Sequence, residues 1–275
     1  MPFVYRVDSP LTSSSPLRGE GKVRGARRIR VILFEIYETV YTLMNKWIGT
    51  SGFQYAEWKG SFYPEDLPAA KMLPFYAERF NTTEVNYTFH RIPAPKTIAN
   101  WWQLTPETFR FTLKAPQKVT HFARLRDCGD TVDYFYDVVS GLDSRLGPVL
   151  FQLPPNLKKD AFLLEHFTES LPASMRAAFE FRHESWLDEE IFALLRRRNV
   201  CLCIADTEKL ETPKVVTSDW GYLRLRREDY QTDDVSRWAD VIKGHAAGWS
   251  DVFVYFKHEE AGIGPKLAKQ MMQLL

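Results

Sequence analysis

Cysteine is scarce: Cys128, Cys201 and Cys203 are the three in 275 residues. Three cannot build a disulfide framework, and the closest two fall on one face of a strand with no further ligands nearby. The pattern therefore gives no zinc site and suits a reducing compartment. Net charge is lacking too. Lys and Arg number 36 against 35 Asp and Glu, a formal charge of +1, so no global field draws the chain to nucleic acid or anionic lipid and any anion site must be local. The apolar run from Val31 to Met44 is broken by Glu35 and Glu38. It is too short and too charged for a membrane span, and it lies too far from the start, with no small-residue cleavage site, for a signal peptide. What remains is globular material: 45% of residues are hydrophobic, 26% charged and 14% aromatic, which excludes disordered and collagen-like architectures for most of the chain.

Residues 1–45 differ from the rest, with seven Lys/Arg against four Asp/Glu, where residues 46–275 carry 29 against 31. Ser13 to Pro16 and Gly19, Gly21 and Gly25 form a polar run that cannot bury enough apolar surface to offset its ordering entropy. We read residues 1–45 as a disordered extension or the product of an upstream start assignment, with one surface helix as the alternative. The folded domain is expected over 46–275, and deletion of 1–43 should leave melting within a few degrees.

From Trp47 onward, strands alternate with helices. Apolar or alternating runs predict strands at Trp47–Thr50, Thr83–Tyr87, Phe109–Lys114, Val149–Leu153, Ala177–Phe181, Val200–Ile204, Tyr222–Arg226 and Val252–Lys257. Helical spacing appears between them, as in Leu73/Tyr76/Phe80, Val132/Phe135/Val139 and Ile191/Leu194/Leu195. Only the sixth strand lacks a helix after it. Pro95 and Pro265 suit first-turn positions, Asp188 suits an N-cap and Gly244 a C-terminal stop. Eight such units predict an α/β fold, a single small (β/α)8 TIM-type barrel, with a doubly wound open sheet as the alternative.

Barrel chemistry collects at the C-terminal ends of the strands, and those ends are unusually polar here. Glu84 and Asn86 follow strand two; Thr112, Lys114 and His121 belong to strand three and its loop. Gln152 ends strand four, Glu180, Arg182 and His183 strand five, and Asp206 strand six. Strands seven and eight supply Arg224, Arg226, Tyr255 and Lys257. Their neighbours of opposite parity, such as Phe111, Leu113, Phe179, Leu223 and Leu225, are apolar and should face the helices, which turns the polar set to the axis. Any single pair, Glu180 with Arg182 for instance, is as well explained by a structural salt bridge. The whole set at one end is better explained by a concave polar site, because burying unpaired charge costs several kcal/mol per ion.

The chain resembles a known family. Gly49 to Tyr55 with Trp58, Gly60 and Phe62-Tyr-Pro64 carry the likeness, as do Glu84-Val-Asn86, Thr88-Phe-His-Arg91, Lys114, Thr120-His121 and Gln152-Leu-Pro-Pro155. It continues through Phe179 to His183, Ser185-Trp186, Asp206, Tyr222 to Leu225 and Val254-Tyr-Phe256. These are similar to the YecE-like family of TIM-barrel proteins (domain of unknown function 72). The resemblance spans 47–275 and implies a TIM barrel in a bacterial or archaeal cytoplasm, with no particular reaction. It departs at Leu225-Arg226-Arg227, where the family pattern has His-Gly-Arg, and at Lys257-His258, where it has two asparagines.

From the residues we expect an enzyme acting on a small anionic molecule bearing phosphate or carboxylate. Glu84, His121, Glu180, His183 and Asp206 would move protons. Tyr55, Asn86, Lys114, Gln152, Arg182, Arg224, Arg226, Lys257 and the N–H groups around Gly264, which opens the last helix, would bind substrate. Arg224, Arg226, Lys257 and Gly264 would form a cationic wall opposite the carboxylates. No cofactor is predicted. A divalent metal held by the carboxylates of a hydrolase or isomerase is one alternative, ranked lower because Lys114 and Arg182 would repel it. A second is single-stranded nucleic-acid binding without catalysis, using Phe53, Tyr55, Trp58, Phe62 and Tyr63 as stacking surfaces. Packing at the barrel mouth competes with that reading for Trp58 and Phe62. The expected location is the cytoplasm, with no membrane contact, and no oligomeric state follows from the sequence.

Overall fold

A computed structural model of the chain describes residues 44–258 and 260–275. Residues 1–43, to which most of the expected extension belongs, lie outside the described residues, as does Glu259. Eight strands form a closed parallel barrel in chain order: β1 Asn45–Ser51, β2 Thr82–Val85, β3 Arg110–Lys114, β4 Leu146–Gln152, β5 Ala177–Glu180, β6 Cys201–Asp206, β7 Trp220–Leu225 and β8 Asp251–Phe256. Strand β8 pairs with β1 to close it, Ile48 opposite Val254 and Thr50 opposite Phe256. The helices are α1 Ala69–Ala77, α2 Tyr87–His90, α3 Pro95–Gln103, α4 Gly129–Ser140, α5 Ala161–Ser170, α6 Glu189–Arg197, α7 Thr232–His245 and α8 Ile263–Leu274. No helix among the described residues is long and apolar enough to cross a membrane.

Alternation along each strand separates two cores. Outward residues such as Ile48, Phe111, Phe151, Phe179, Leu223 and Val254 join the apolar faces of the helices in one large cluster. Inward residues Leu150, Ala178, Cys201, Cys203, Trp220, Tyr222, Phe253 and Tyr255 fill the barrel in a second. The three cysteines are free and buried, and burial pushes the Cys201 thiol up to about 12, so this pair is packing and not chemistry. Gly49 allows β1 and β2 to approach, since a Cβ there would overlap the Thr82 carbonyl oxygen.

Local signals held at most boundaries. Asp188 caps α6 by accepting from the Ile191 N–H at 3.1 Å, and Pro95 opens α3. The connection from β6 to β7 carries no helix, as the sequence implied. Three details differ. Strand β1 begins at Asn45 and Met44 is buried, so the barrel takes in residues assigned to the extension. Strand β2 stops at Val85, because Asn86 turns helical (φ −86°, ψ −16°) and Tyr87 starts α2. Helix α7 passes through Gly244 to His245, where Ala246 closes it by donating to the Lys243 carbonyl.

Candidate functional site

The C-terminal end of the barrel interior is a network built around one arginine. Arg224 on β7 is fully buried between Glu84 of β2 and Glu180 of β5. Its Nε and Nη2 donate to the two Glu84 oxygens, each at 2.8 Å, and its Nη1 donates to Glu180 Oε2. The Tyr222 hydroxyl donates to Glu84 Oε2 at 2.6 Å and the Ser51 hydroxyl to Glu84 Oε1. Asn86 Nδ2 donates to Ser51 Oγ at 2.9 Å. On the other side, Gln152 Nε2 donates to Glu180 Oε1 and Oε2 at 2.9 and 3.0 Å, which fixes its amide so that Oε1 accepts from Lys114 Nζ at 2.9 Å.

This network sets the charge states. Burial pushes the Glu84 carboxyl up, but the Arg224 guanidinium and the hydrogen bonds from Arg224, Ser51 and Tyr222 outweigh it and hold the group below the usual carboxylate range. The same opposition, with Arg224 and Arg226 as the counter-charges, brings Glu180 down to about 2. Both carboxylates are therefore ionised at neutral pH. Lys114 is pushed down to about 8, by burial first and by the Arg224 and Lys257 charges against the pull of Glu84 and Glu180. His121 is lowered by burial and then by Lys114, Arg182 and Arg124. Arg226 is lowered by burial and by Arg224.

Above the network opens a cavity of about 560 Å³, walled by Glu180, Arg182, His183, Arg226 and the 207–212 segment of the helix-free β6–β7 connection. Arg226 meets Glu180 through one long contact of 3.5 Å, and its Nε has no hydrogen-bond partner. Arg182 stands 4.0 Å from the same carboxylate. His183 reaches the cavity wall although its parity faced away, because it caps a 3-10 turn, accepting from the Ser185 N–H at 3.1 Å. Beyond β3, His121 sits on a π-turn, its Nδ1 2.8 Å from the Thr120 hydroxyl. That turn is followed by Arg124, Leu125 and Asp127, all at positive φ. Such strain in non-glycine residues persists only where the surroundings enforce it.

The family model described as "Protein of unknown function DUF72" matches residues 47–275. The chain belongs to the DUF72 family. It is 37% identical over 109 residues to "UPF0759 protein YecE" of Escherichia coli K12, a match covering 39% of this chain and 40% of that relative's length. To "UPF0759 protein YunF" of Bacillus subtilis it is 23% identical over 255 residues, 78% of this chain and 90% of that one. A solved DUF72 structure from Thermotoga maritima superposes with a TM-score of 0.76 at 26% identity, covering 84% of this chain and 98% of its own. One from Enterococcus faecalis shares the fold at 17% identity and a TM-score of 0.71, covering 84% and 95%.

Within this DUF72 barrel, parity placed Glu84, Lys114, Gln152, Glu180 and Arg224 together, but the expected opposition of a cationic and an acidic wall is not there. The signs interleave, and Arg224 is committed to both carboxylates. Asp206 is a second correction. Register pairs it with outward Leu225, while its neighbour Ala205 pairs with inward Arg224. Its carboxylate accordingly accepts from Trp238 Nε1 at 3.0 Å and from the Tyr230 hydroxyl, on the α7 side. Glu84, Glu180 and Asp206 thus do not converge as metal ligands, and among the described residues no three His, Cys, Asp or Glu side chains do. Gly264 has a packing reason, since a Cβ would lie 2.8 Å from the His258 carbonyl oxygen. Tyr55 donates to the Ser51 carbonyl at 2.7 Å and packs on Trp58. Phe53, Trp58 and Tyr63 are buried and packed against neighbouring rings, so they are no stacking surface for bases. Sequence reasoning gave no site role to Ser51 and Tyr222, although both lie in stretches that carried the family likeness, Ser51 pairing with Glu84 across the strands and Tyr222 sharing the inward face of Arg224. It also missed Phe89, whose ring lies 4.0 Å below Lys114 Nζ and 4.9 Å from the His121 ring. Phe89 lies within the Thr88-Phe-His-Arg91 stretch of the family likeness, but its spacing gave it no role in the site.

Proposed function

We propose that this DUF72 protein is an enzyme for a small anionic substrate, bound in the cavity over the Glu84–Arg224–Glu180 network. One observation carries the reading: positive charge is in excess there. Lys114, Arg182, Arg224 and Arg226 share the inner end of the barrel with two carboxylates, both held by Arg224, and Lys114, His121 and Arg226 are each depressed first by burial and then by cationic neighbours. The acids of the cavity wall, Glu184, Glu208 and Glu228, are exposed, where water and salt screen them. A phosphate or carboxylate entering would relieve the mutual repulsion of the arginines and offer Arg226 the partner its Nε lacks.

The proton-moving roles shift from the expectation. Glu84 and Glu180 are clamped in the ionised form, which suits them to positioning Arg224 and Gln152. Lys114 near 8 and a largely neutral His121 are better matched to proton transfer at neutral pH. Inorganic phosphate should raise the melting temperature of the wild-type chain, and Arg226→Ala and Arg182→Ala should each remove that rise while still folding. No phosphate response, together with salt-dependent binding of oligonucleotides, would replace this reading with the nucleic-acid one.

A further inference from the structure

Lys114 is the odd member of the site. A lysine is seldom buried unless a carboxylate pairs with it, yet Lys114 is 9% exposed and no carboxylate among the described residues lies within ion-pair distance of its amine. The two carboxylates nearby are taken: Arg224 bridges Glu84 and Glu180. What Lys114 meets instead is a neutral acceptor, Gln152 Oε1 at 2.9 Å, and the face of Phe89 at 4.0 Å. Both tolerate an uncharged amine. Gln152 cannot rotate away, because its amide nitrogen is held by both oxygens of Glu180.

From this geometry, and resting on the anionic-substrate reading above, we infer that Lys114 is a nucleophile that forms an imine with the carbonyl of a small anionic aldehyde or ketone. The neutral Nζ adds to the carbonyl carbon and gives up one proton as the carbonyl oxygen takes one up, leaving a neutral carbinolamine. The nitrogen lone pair then forms the C=N bond as that oxygen, protonated a second time, leaves as water, and loss of the remaining N–H proton from the iminium balances that second protonation. One water is released, and no oxidant or reductant is needed. Gln152 Oε1 directs the amine, the Phe89 ring gives the planar C=N group a flat apolar neighbour, and His121, edge-on to the same ring at 4.9 Å, is an imidazole suited to relaying the protons. The cations around the cavity hold the anionic end. The amine titrates near 8 instead of at the ordinary 10.5, so its uncharged fraction at pH 7.5 exceeds that of a surface lysine by roughly two orders of magnitude.

Borohydride reduction with peptide mass mapping tests this on the full chain. Two probes are used at pH 7.5: glyoxylate, an anionic aldehyde, and glycolaldehyde, a neutral one. Lys114 should carry the reduced adduct from both, about tenfold faster than exposed lysines such as Lys71 and Lys96, with glyoxylate faster than glycolaldehyde and slowed by inorganic phosphate. Lys114→Arg keeps the charge. It should retain the wild-type circular dichroism and phosphate response while losing the fast-labelled site. Labelling that follows exposure and spares Lys114 with both probes overturns the inference, and a surviving phosphate response would then leave the anion site standing. Fast labelling of Lys114 by both probes, with no phosphate effect and no preference for glyoxylate, would instead sustain the imine chemistry and sink the anion reading.

Discussion

The two ends of the barrel interior are built from the same strands by opposite means. At the middle and lower levels, Cys201, Cys203, Trp220, Phe253 and Tyr255 close the barrel by filling it, and any hydroxyl there is matched: Tyr255 bonds Thr82 at 2.7 Å and Thr112 at 2.6 Å. One or two strand steps higher, Glu84, Lys114, Glu180 and Arg224 occupy the same faces. There cohesion comes from one guanidinium shared by two carboxylates, and the cavity is left open. The contrast teaches that the lower level resists change by shape and the upper level by charge balance, so the two should fail differently when altered.

The largest effect is expected from Arg224→Met, which strands two buried carboxylates against each other. It should cost about 3–5 kcal/mol in urea unfolding, and adding Glu84→Gln and Glu180→Gln should recover much of the loss. Trp220→Ala in the lower level should cost a similar or slightly smaller amount, about 3–4 kcal/mol by cavity formation, yet no companion charge change should rescue it, and the phosphate response should survive. A mutant pair with the reverse behaviour would erase the distinction. Acid unfolding sharpens it further. Glu180 sits near 2 in the folded chain against an ordinary 4.5, so the unfolded chain binds more protons in between. Its stabilising contribution is complete above pH 4.5 and is lost as pH falls toward 2, and Glu180→Gln should flatten that part of the stability profile. The smallest effect has the opposite sign. Lys114 sits near 8 folded against 10.5, so burial of its charge costs stability below pH 8 and that cost is relieved as pH rises toward 10.5. Lys114→Met should therefore stabilise the protein by about 1 kcal/mol at pH 7 and remove the alkaline rise, measured by chemical unfolding across pH.

Periodicity carried the fold because each strand has one apolar and one mixed face, and even the absence of a helix after β6 could be read from the polar 207–214 stretch. Parity also assembled Glu84, Lys114, Gln152, Glu180 and Arg224, since all lie on inward positions. Pairing was not legible. Nothing in the order of residues states that Arg224 reaches Glu84 and Glu180 at once, because that depends on the closure of the barrel. Asp206 could have been placed correctly: Leu202 and Ile204 share its parity and face outward, but its position at a strand end was given more weight than its face. Phe89 fell in a stretch that carried the family likeness, but its direction could not be read, because it enters from a short helix after β2, where spacing along the strand no longer fixes direction.

The helix-free connection after β6 stands between two hollows, the 560 Å³ cavity on its axial side and one of about 440 Å³ toward α7, with Thr207 to Leu210 lining both. Every other barrel unit anchors its loop to a helix that must also pack; here the connection is pinned to the core only further along, by buried Thr212 and by Val215 and Val216, and Thr207 to Leu210 form a stretch without that second obligation. Residues can be inserted or exchanged along it without disturbing the strand ladder beneath, so descendants of this barrel can resize what they accept by editing one segment while inheriting the floor unchanged.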